Sequence, residues 1–163
     1  MTRLGIISDT HNYIDDSIFN FFKDCDLICH AGDIGNVDVA ESITKKNSLK
    51  AVYGNIDGNE LRLMFPKTQR FFCEDVDILM THIGGYPGKY QNEIIEILKT
   101  KPPKLFITGH SHILKIIYDK KYDLLFINPG AAGKYGIQVV RTAVRLTINK
   151  SNICDVEILE VPR

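Results

Sequence analysis

The sequence contains no tryptophan, few cysteines and no surplus of either charge. Its 20 basic residues balance 20 acidic residues, so no overall charge draws the chain towards nucleic acid or an anionic membrane surface. We find no basic patch of the kind that binds nucleic acid. A nucleotide or another phosphodiester is still compatible as a substrate, because bound cations supply positive charge locally.

The four cysteines form no Cys-x-x-Cys pair and are scattered as Cys25, Cys29, Cys73 and Cys154. Three of them lie in apolar, strand-like segments. We therefore predict reduced thiols in or near the core of an intracellular protein, and no disulfide or zinc-thiolate site.

Long apolar runs are also missing. No segment approaches the roughly 18 apolar residues of a membrane helix, and the apolar run near Met1 is far shorter than that of a signal peptide. We expect a cytoplasmic protein without a membrane partner. The 163 residues, 44% hydrophobic and 25% charged, predict one domain over residues 1–163 that can bury a core without structural metal.

The first third of the chain alternates strand-like and helix-like segments. Strands are predicted at residues 4–8, 26–31 and 49–53, with helices around Ile18 and at residues 37–46. Asp15 or Asp16 is a plausible N-cap of the first helix. This βαβαβ order favours parallel strands joined by crossover helices.

The rest of the chain has the pattern of antiparallel pairs. Hairpins are predicted at residues 69–81 and 115–127, and a pair of alternating strands at residues 139–161. Between them lie a helix around residues 94–98 and a buried strand at residues 105–108. The predicted fold is therefore α/β, with two mixed sheets packed face to face and helices outside, a four-layer αββα sandwich.

Five of the predicted strands end in a small residue followed by polar side chains. The side chains at these ends are Asp9 and His11, Asp33, Asn55, His82, and His110 and His112. Ligands of open α/β sheets bind beyond the carboxyl ends of the strands, so we expect these side chains to share one pocket.

Such a pocket requires cations. Two carboxylates and four imidazoles would otherwise lose solvation and perturb one another strongly. Imidazole, carboxylate and amide oxygen without thiolate suit Mn²⁺, Fe, Zn²⁺ or Ni²⁺. Seven ligands are too many for one tetrahedral ion but suit two divalent ions that share a bridging carboxylate.

The order of these motifs resembles that of the calcineurin-like metallophosphoesterase superfamily. The motifs are Asp9-x-His11, Gly32-Asp33, Gly54-Asn55, His82 and Gly109-His110-Ser111-His112. The short length is similar to its small YfcE-type phosphodiesterase branch, which has a Vps29-like fold. Three further segments carry that similarity: His30-Ala31-Gly32-Asp33, Gly54-Asn55-x-Asp57 and Asn128-Pro129-Gly130.

The resemblance implies a dinuclear site, most simply with Mn²⁺. One ion would be held by Asp9, His11 and His112, the other by Asn55, His82 and His110, with Asp33 bridging. A hydroxide between the ions would attack the phosphorus in line, and Asp33, Asn55 and His82 would be the residues closest to the chemistry.

The chain departs from the superfamily at two places. Larger members have a histidine directly after the asparagine, where this chain has Ile56, so no leaving-group acid is evident. After His82 the sequence continues as a glycine-rich loop, residues 83–89, which we predict to shape the substrate pocket. His30 and Asp57 are predicted not to bind metal themselves but to orient the ligands through hydrogen bonds.

Two alternatives remain open at this point. One is a phosphomonoesterase acting on a nucleotide or small phosphate ester. The other is a non-catalytic, protein-binding scaffold of the Vps29 type, although all seven ligand positions carry ligating side chains. The sequence leaves open the natural substrate, the metal and whether the chain forms a homo-oligomer.

Overall fold

Two five-stranded mixed sheets form the centre of the structure, a computed structural model that describes residues 1–163. The first sheet contains, in spatial order, β12 (Asn152–Pro162), β11 (Val140–Asn149), β1 (Thr2–Ile7), β2 (Leu27–His30) and β3 (Ser48–Ala51). Strands β1, β2 and β3 are parallel, and β11 and β12 continue the sheet as an antiparallel pair.

The second sheet has a parallel centre and an antiparallel strand on each side. Its order is β4 (Thr68–Cys73), β5 (Val76–Thr81), β8 (Leu105–Ile107), β10 (Leu124–Pro129) and β9 (Leu114–Asp119). Strands β5, β8 and β10 are parallel, and both predicted hairpins form its outer pairs. A separate small ribbon pairs β6 (Gly85–Tyr86) with β7 (Lys89–Tyr90).

The helices cover the outer faces of both sheets. On the first sheet lie α1 (Asp16–Phe21), α2 (Val37–Thr44) and α3 (Asn59–Met64), and on the second lies α4 (Asn92–Thr100). The predicted αββα sandwich is therefore confirmed. None of these helices has the length and hydropathy needed to cross a bilayer.

The main core lies between the two sheets. It is a cluster of 15 buried residues that includes Ile6 and Cys29 from the first sheet and Ile78 and Ile107 from the second. Full burial of such side chains contributes about 1.5–3 kcal/mol each. This packing holds the carboxyl ends of the parallel strands of both sheets side by side.

Local details follow the sequence in some places and depart from it in others. The Asp15 carboxylate accepts a hydrogen bond from the backbone of Ile18, as expected of an N-cap. Helix α3 was not predicted, because its cap Gly58 offers no side chain and its apolar residues Leu63 and Met64 are exposed. A short helix with one buried residue has no apolar stripe to detect.

The cysteine prediction holds for three residues and is wrong for the fourth. Cys25, Cys29 and Cys73 are buried and free. Cys154 is exposed, because it lies on β12, whose burial pattern leaves most side chains at the sheet edge in solvent.

Candidate metal centre

The carboxyl ends of five strands from both sheets meet in one crevice. Strands β1, β2 and β3 deliver side chains from the first sheet, and β5 and β8 deliver them from the second. Backbone hydrogen bonds join the loops, including Asp9 N to Gly32 O at 2.9 Å and Gly109 N to His82 O at 3.0 Å. The seven side chains predicted at strand ends lie along this crevice.

A first cluster consists of Asp9, His11 and His112, whose ligating atoms lie within 4.8 Å of one another. Asp9 is completely buried, and its Oδ1 atom lies 3.2 Å from His112 Nε2 and 3.8 Å from His11 Nε2. The other oxygen of Asp9 accepts a hydrogen bond from the backbone N–H of His110 at 3.0 Å. This bond fixes the carboxylate so that Oδ1 faces the two imidazoles.

A second cluster consists of Asp33, His82 and His110, with Asn55 beside it. Asn55 Oδ1 lies 3.1 Å from His82 Nε2 and 3.0 Å from His110 Nδ1. His82 Nδ1 lies 2.7 Å from the carbonyl oxygen of Ala31 and must therefore carry the proton that it donates there. The other ring nitrogen, Nε2, is consequently turned towards Asp33 and Asn55.

Asp33 lies between the two clusters. Its Oδ2 atom is 3.3 Å from His82 Nε2 and 3.5 Å from His11 Nε2, one imidazole from each cluster. Its Oδ1 atom accepts a hydrogen bond from the backbone N–H of Ile56 at 3.1 Å. The carboxylate is thus anchored through one oxygen and presents the other to both clusters.

The residues of the crevice fit divalent cations. Asp9 Oδ1 and His11 Nε2 are buried without a hydrogen-bond partner in the protein, and such unsatisfied atoms are uncommon in folded proteins. Both point at the same region, and the donors around them are carboxylate, imidazole and amide oxygen. A divalent cation accepts lone pairs from these groups and removes the cost of leaving them unpaired.

The same arrangement controls ionisation. Burial acts to raise the pKa of Asp9, but the neighbouring His11 and His112 outweigh it and hold that pKa well below its usual range. Burial likewise opposes ionisation of Asp33, and the contact with His82 lowers its pKa overall. The pKa of His82 is raised, since burial is outweighed by Asp33 and Asp9. Both carboxylates are therefore anionic at neutral pH.

Five of the seven side chains project from backbone in the left-handed region. Their φ angles are 54° at Asp9, 43° at His11, 53° at Asp33, 72° at His110 and 60° at His112. Each such non-glycine residue costs of order 1–3 kcal/mol, so the surrounding structure has to impose the conformation. Strained backbone concentrated in this manner is typical of functional sites.

His30 supports the crevice from behind and faces neither cluster as a ligand. Its Nδ1 atom accepts a hydrogen bond from Gly32 N at 3.2 Å, so Nε2 carries the proton and donates to Thr10 Oγ1 at 2.9 Å. Thr10 in turn donates to the carbonyl of Ile34. The neutral His30 ring therefore ties the loop after β1 to the loop after β2.

Asp57 holds two loops of the crevice together through hydrogen bonds to their backbone. Its carboxylate accepts hydrogen bonds from the N–H groups of Gly54 at 2.8 Å, Gly35 at 2.8 Å and Ile34 at 3.2 Å. These bonds connect the loop that carries Asn55 to the loop that carries Asp33.

Two residues that the sequence did not single out also lie beside the clusters. The Tyr135 ring packs against the His11 ring with centroids 4.9 Å apart. Arg62, on helix α3, donates from Nε to the carbonyl of Asp57 at 2.7 Å and from Nη2 to that of Asn55 at 3.3 Å. No motif marks either residue, and Arg62 could have been noted only as a cation a few positions after Asn55.

Two cavities open beside the second cluster. One, of about 220 Å³, is lined by His110, Ser111 and Lys115 and by Gly84, Gly85 and Tyr86 from the glycine-rich loop. The other, of about 340 Å³, is lined by Asn55, His82, Arg62 and Lys67. Ile83 lines both cavities.

Comparisons with known proteins agree with this geometry. The family model described as the calcineurin-like phosphoesterase superfamily domain matches residues 2–151. A "Probable metallophosphoesterase" of Methanocaldococcus jannaschii is 30% identical over 134 residues, which are 78% of this chain and 67% of that protein. Another, of Methanothermobacter thermautotrophicus, is 26% identical over 133 residues, 78% of this chain and 76% of that protein.

A solved structure shares the fold at low identity. Vps29 from Chaetomium thermophilum superimposes with a TM-score of 0.78 and 14% identity, covering 99% of this chain and 97% of that one.

Proposed function

Because the chain belongs to the calcineurin-like phosphoesterase superfamily, we propose that it hydrolyses phosphodiesters with two divalent cations bound in the crevice. Membership of this family and the two clusters of ligating side chains make it a metal-dependent phosphoesterase. The number of ions, the diester substrate and the roles of individual residues are the content of the proposal.

One observation carries the proposal of two ions. The buried Asp9 Oδ1 and His11 Nε2 atoms have no partner, while Asp33 presents one oxygen to both clusters. Asp9, His11 and His112 would hold the first ion, and Asn55, His82 and His110 the second, with Asp33 shared. We propose Mn²⁺ as the metal, and the donor set also suits Fe²⁺, Zn²⁺ or Ni²⁺.

The bound ions would supply a nucleophile from water and neutralise charge on the phosphoryl group. The protein's part is to fix the donors in advance. The Ala31 carbonyl sets the tautomer and direction of His82, and the Ile56 N–H orients Asp33. Ile56 cannot protonate the leaving group. The rate should therefore depend on the pKa of the leaving alcohol.

The two cavities support a diester over a monoester. A phosphodiester carries an organic group on both sides of the phosphorus, whereas a monoester carries one. Cavities border the second cluster at His110 and at Asn55 and His82, which provides space for a group on each side.

A paired assay tests the function. Metal-free protein is loaded with Mn²⁺ and given bis(4-nitrophenyl) phosphate and, separately, 4-nitrophenyl phosphate. We expect a larger kcat/KM for the diester. A preference for the monoester would identify a phosphomonoesterase. A protein with neither activity nor bound metal would favour a protein-binding scaffold. A structural neighbour, Vps29, has been solved in complex with a cyclic peptide.

A further inference from the structure

We propose that the cavity lined by Tyr53, Arg62 and Lys67 is an anion subsite, which binds a second phosphate or phosphonate on the non-leaving arm of the substrate. The inference rests on the proposed phosphodiesterase function and names a class of substrate for it, an asymmetric diester with one charged arm.

The position of this cavity connects it to the reaction. Asn55 and His82, both candidate ligands of the second ion, form part of its wall, and the cavity has a volume of about 340 Å³. A phosphoryl group bound at the second cluster would therefore lie at its mouth. Its lining contains two permanent or near-permanent cations and no carboxylate.

Arg62 is held in place by the loop that carries Asn55. Nε donates to the Asp57 carbonyl at 2.7 Å, Nη2 donates to the Asn55 carbonyl at 3.3 Å, and the guanidinium carbon lies 4.6 Å from the centre of the Tyr53 ring. Nη1 donates to no protein atom. An arginine fixed in this manner loses little further freedom when its remaining N–H groups bind an anion.

Lys67 provides the second charge. Its only ion pair is with Glu93, at 3.4 Å, and both side chains are more than half exposed. Exposed pairs of this kind are weak and screened by salt. The ammonium group can therefore exchange this partner for a substrate anion at the cavity.

The cavity on the other side of Ile83 has a different character. Its lining includes the apolar side chains of Ile113 and Phe126 and one lysine, Lys115, whose ammonium lies over the Tyr86 ring at 4.3 Å. Such a site suits an uncharged or aromatic group. The Arg62 side thus carries two cations, whereas the single lysine on the Tyr86 side already lies over an aromatic ring. We therefore assign the charged arm to the Arg62 side and the uncharged leaving arm to the Tyr86 side.

A matched pair of substrates tests this assignment. 4-Nitrophenyl 3-phosphonopropyl phosphate carries an anionic arm that cannot be hydrolysed, and 4-nitrophenyl propyl phosphate lacks that charge. Release of nitrophenol by the Mn²⁺-loaded protein gives kcat/KM for each. We expect the charged substrate to be preferred, and we expect Arg62→Gln and Lys67→Gln each to reduce the preference by about tenfold, mainly through KM.

The controls separate charge recognition from structural damage. Glu93→Gln breaks the same surface pair but leaves Lys67 charged, and Lys99→Gln removes a lysine outside both cavities; both should keep the preference. Arg62→Lys should retain part of it. If Arg62→Gln acts only by displacing Asn55, kcat falls equally for both substrates. In that case the preference measured in Lys67→Gln tests the anion subsite.

Each outcome has one meaning. If kcat/KM is the same for the charged and the uncharged substrate in the wild type and in all variants, there is no anion subsite, while the phosphodiesterase function stands. Failure of the Mn²⁺-loaded protein to cleave either substrate overturns the proposed function itself.

Discussion

Asp33 Oδ2 lies 3.3 Å from His82 Nε2, and this contact joins the end of a strand in one sheet to the end of a strand in the other. The crevice is therefore built across the interface between the two sheets. A cation bound there would link both halves of the fold as well as serve the chemistry.

Removal of metal should lower the stability of the protein. Binding to the folded state alone stabilises by about 2.7 kcal/mol when free metal is 100 times its Kd, which corresponds to a rise in Tm of about 5–10 °C for a chain of this size. Calorimetry of the chelated protein with and without Mn²⁺ measures the shift. A shift that persists undiminished in Asp9→Ala would locate the ion elsewhere.

Asp33→Ala should be the most damaging single substitution, because this carboxylate faces both clusters. We expect kcat/KM for an aryl phosphodiester to fall by more than about 100-fold, beyond the loss usual for residues behind the ligands. Elemental analysis should show less metal per chain. Asp38→Ala, at an exposed position of α2, is the matched control. Full metal content and rate in Asp33→Ala would rule out the bridging role.

Asp57→Asn should weaken both the fold and the metal site. The amide replaces one carboxylate oxygen with an N–H donor, which then faces either the N–H of Gly35 or the N–H groups of Gly54 and Ile34. We expect a loss of about 1.5–3 kcal/mol in the free energy of unfolding and of about 10–100-fold in Mn²⁺ affinity. Urea denaturation and metal titration measure them, with Asp38→Asn as control. Unchanged values for both would leave Asp57 as a simple turn residue.

The fold and the meeting of strand ends could be predicted because they depend on patterns that a sequence displays. Apolar runs ending in a small residue and a polar group mark where β1, β2, β3, β5 and β8 stop, and parallel strands place such ends at one edge. Packing of two sheets then brings both sets of ends together. The proximity of the seven side chains follows, whereas their roles as ligands stay predictions.

The details that give the crevice its geometry have no such pattern. Asp33 and His110 have left-handed backbone and hydrogen-bond to distant loops, Asp33 through its carbonyl to the His11 N–H and His110 through its N–H to the Asp9 carboxylate. A local sequence cannot reveal such contacts. Arg62 lies on a helix that has neither a side-chain cap nor an apolar stripe. The tautomer of His82 depends on Ala31, which is 51 positions away.

His30 should make the metal-free protein sensitive to acid. Burial lowers its pKa to about 4 from 6.5. As the pH falls through this interval, the unfolded chain binds a proton that the folded protein refuses, so stability declines by up to about 3 kcal/mol. His30→Gln removes the titrating group. Urea denaturation between about pH 7 and pH 4.5 should therefore show a smaller decline in the variant. Parallel curves would mean that folding leaves the pKa of His30 unshifted.

The leaving group should govern the rate. Ile56 is 47% exposed at the position where larger members of the superfamily have a histidine, and it offers no proton. Aryl phosphodiesters should therefore be cleaved much faster than alkyl ones, with kcat/KM falling steadily as the pKa of the leaving alcohol rises. A series of substituted phenyl methyl phosphates measures this slope. A flat dependence would reveal a general acid or a different rate-limiting step.

The most direct test of the account is to locate the ions. Crystals of the Mn²⁺-loaded protein should give two anomalous peaks in the crevice, one among Asp9, His11 and His112 and one among Asn55, His82 and His110, with Asp33 between them. A single peak, or none within reach of these side chains, would contradict the dinuclear centre.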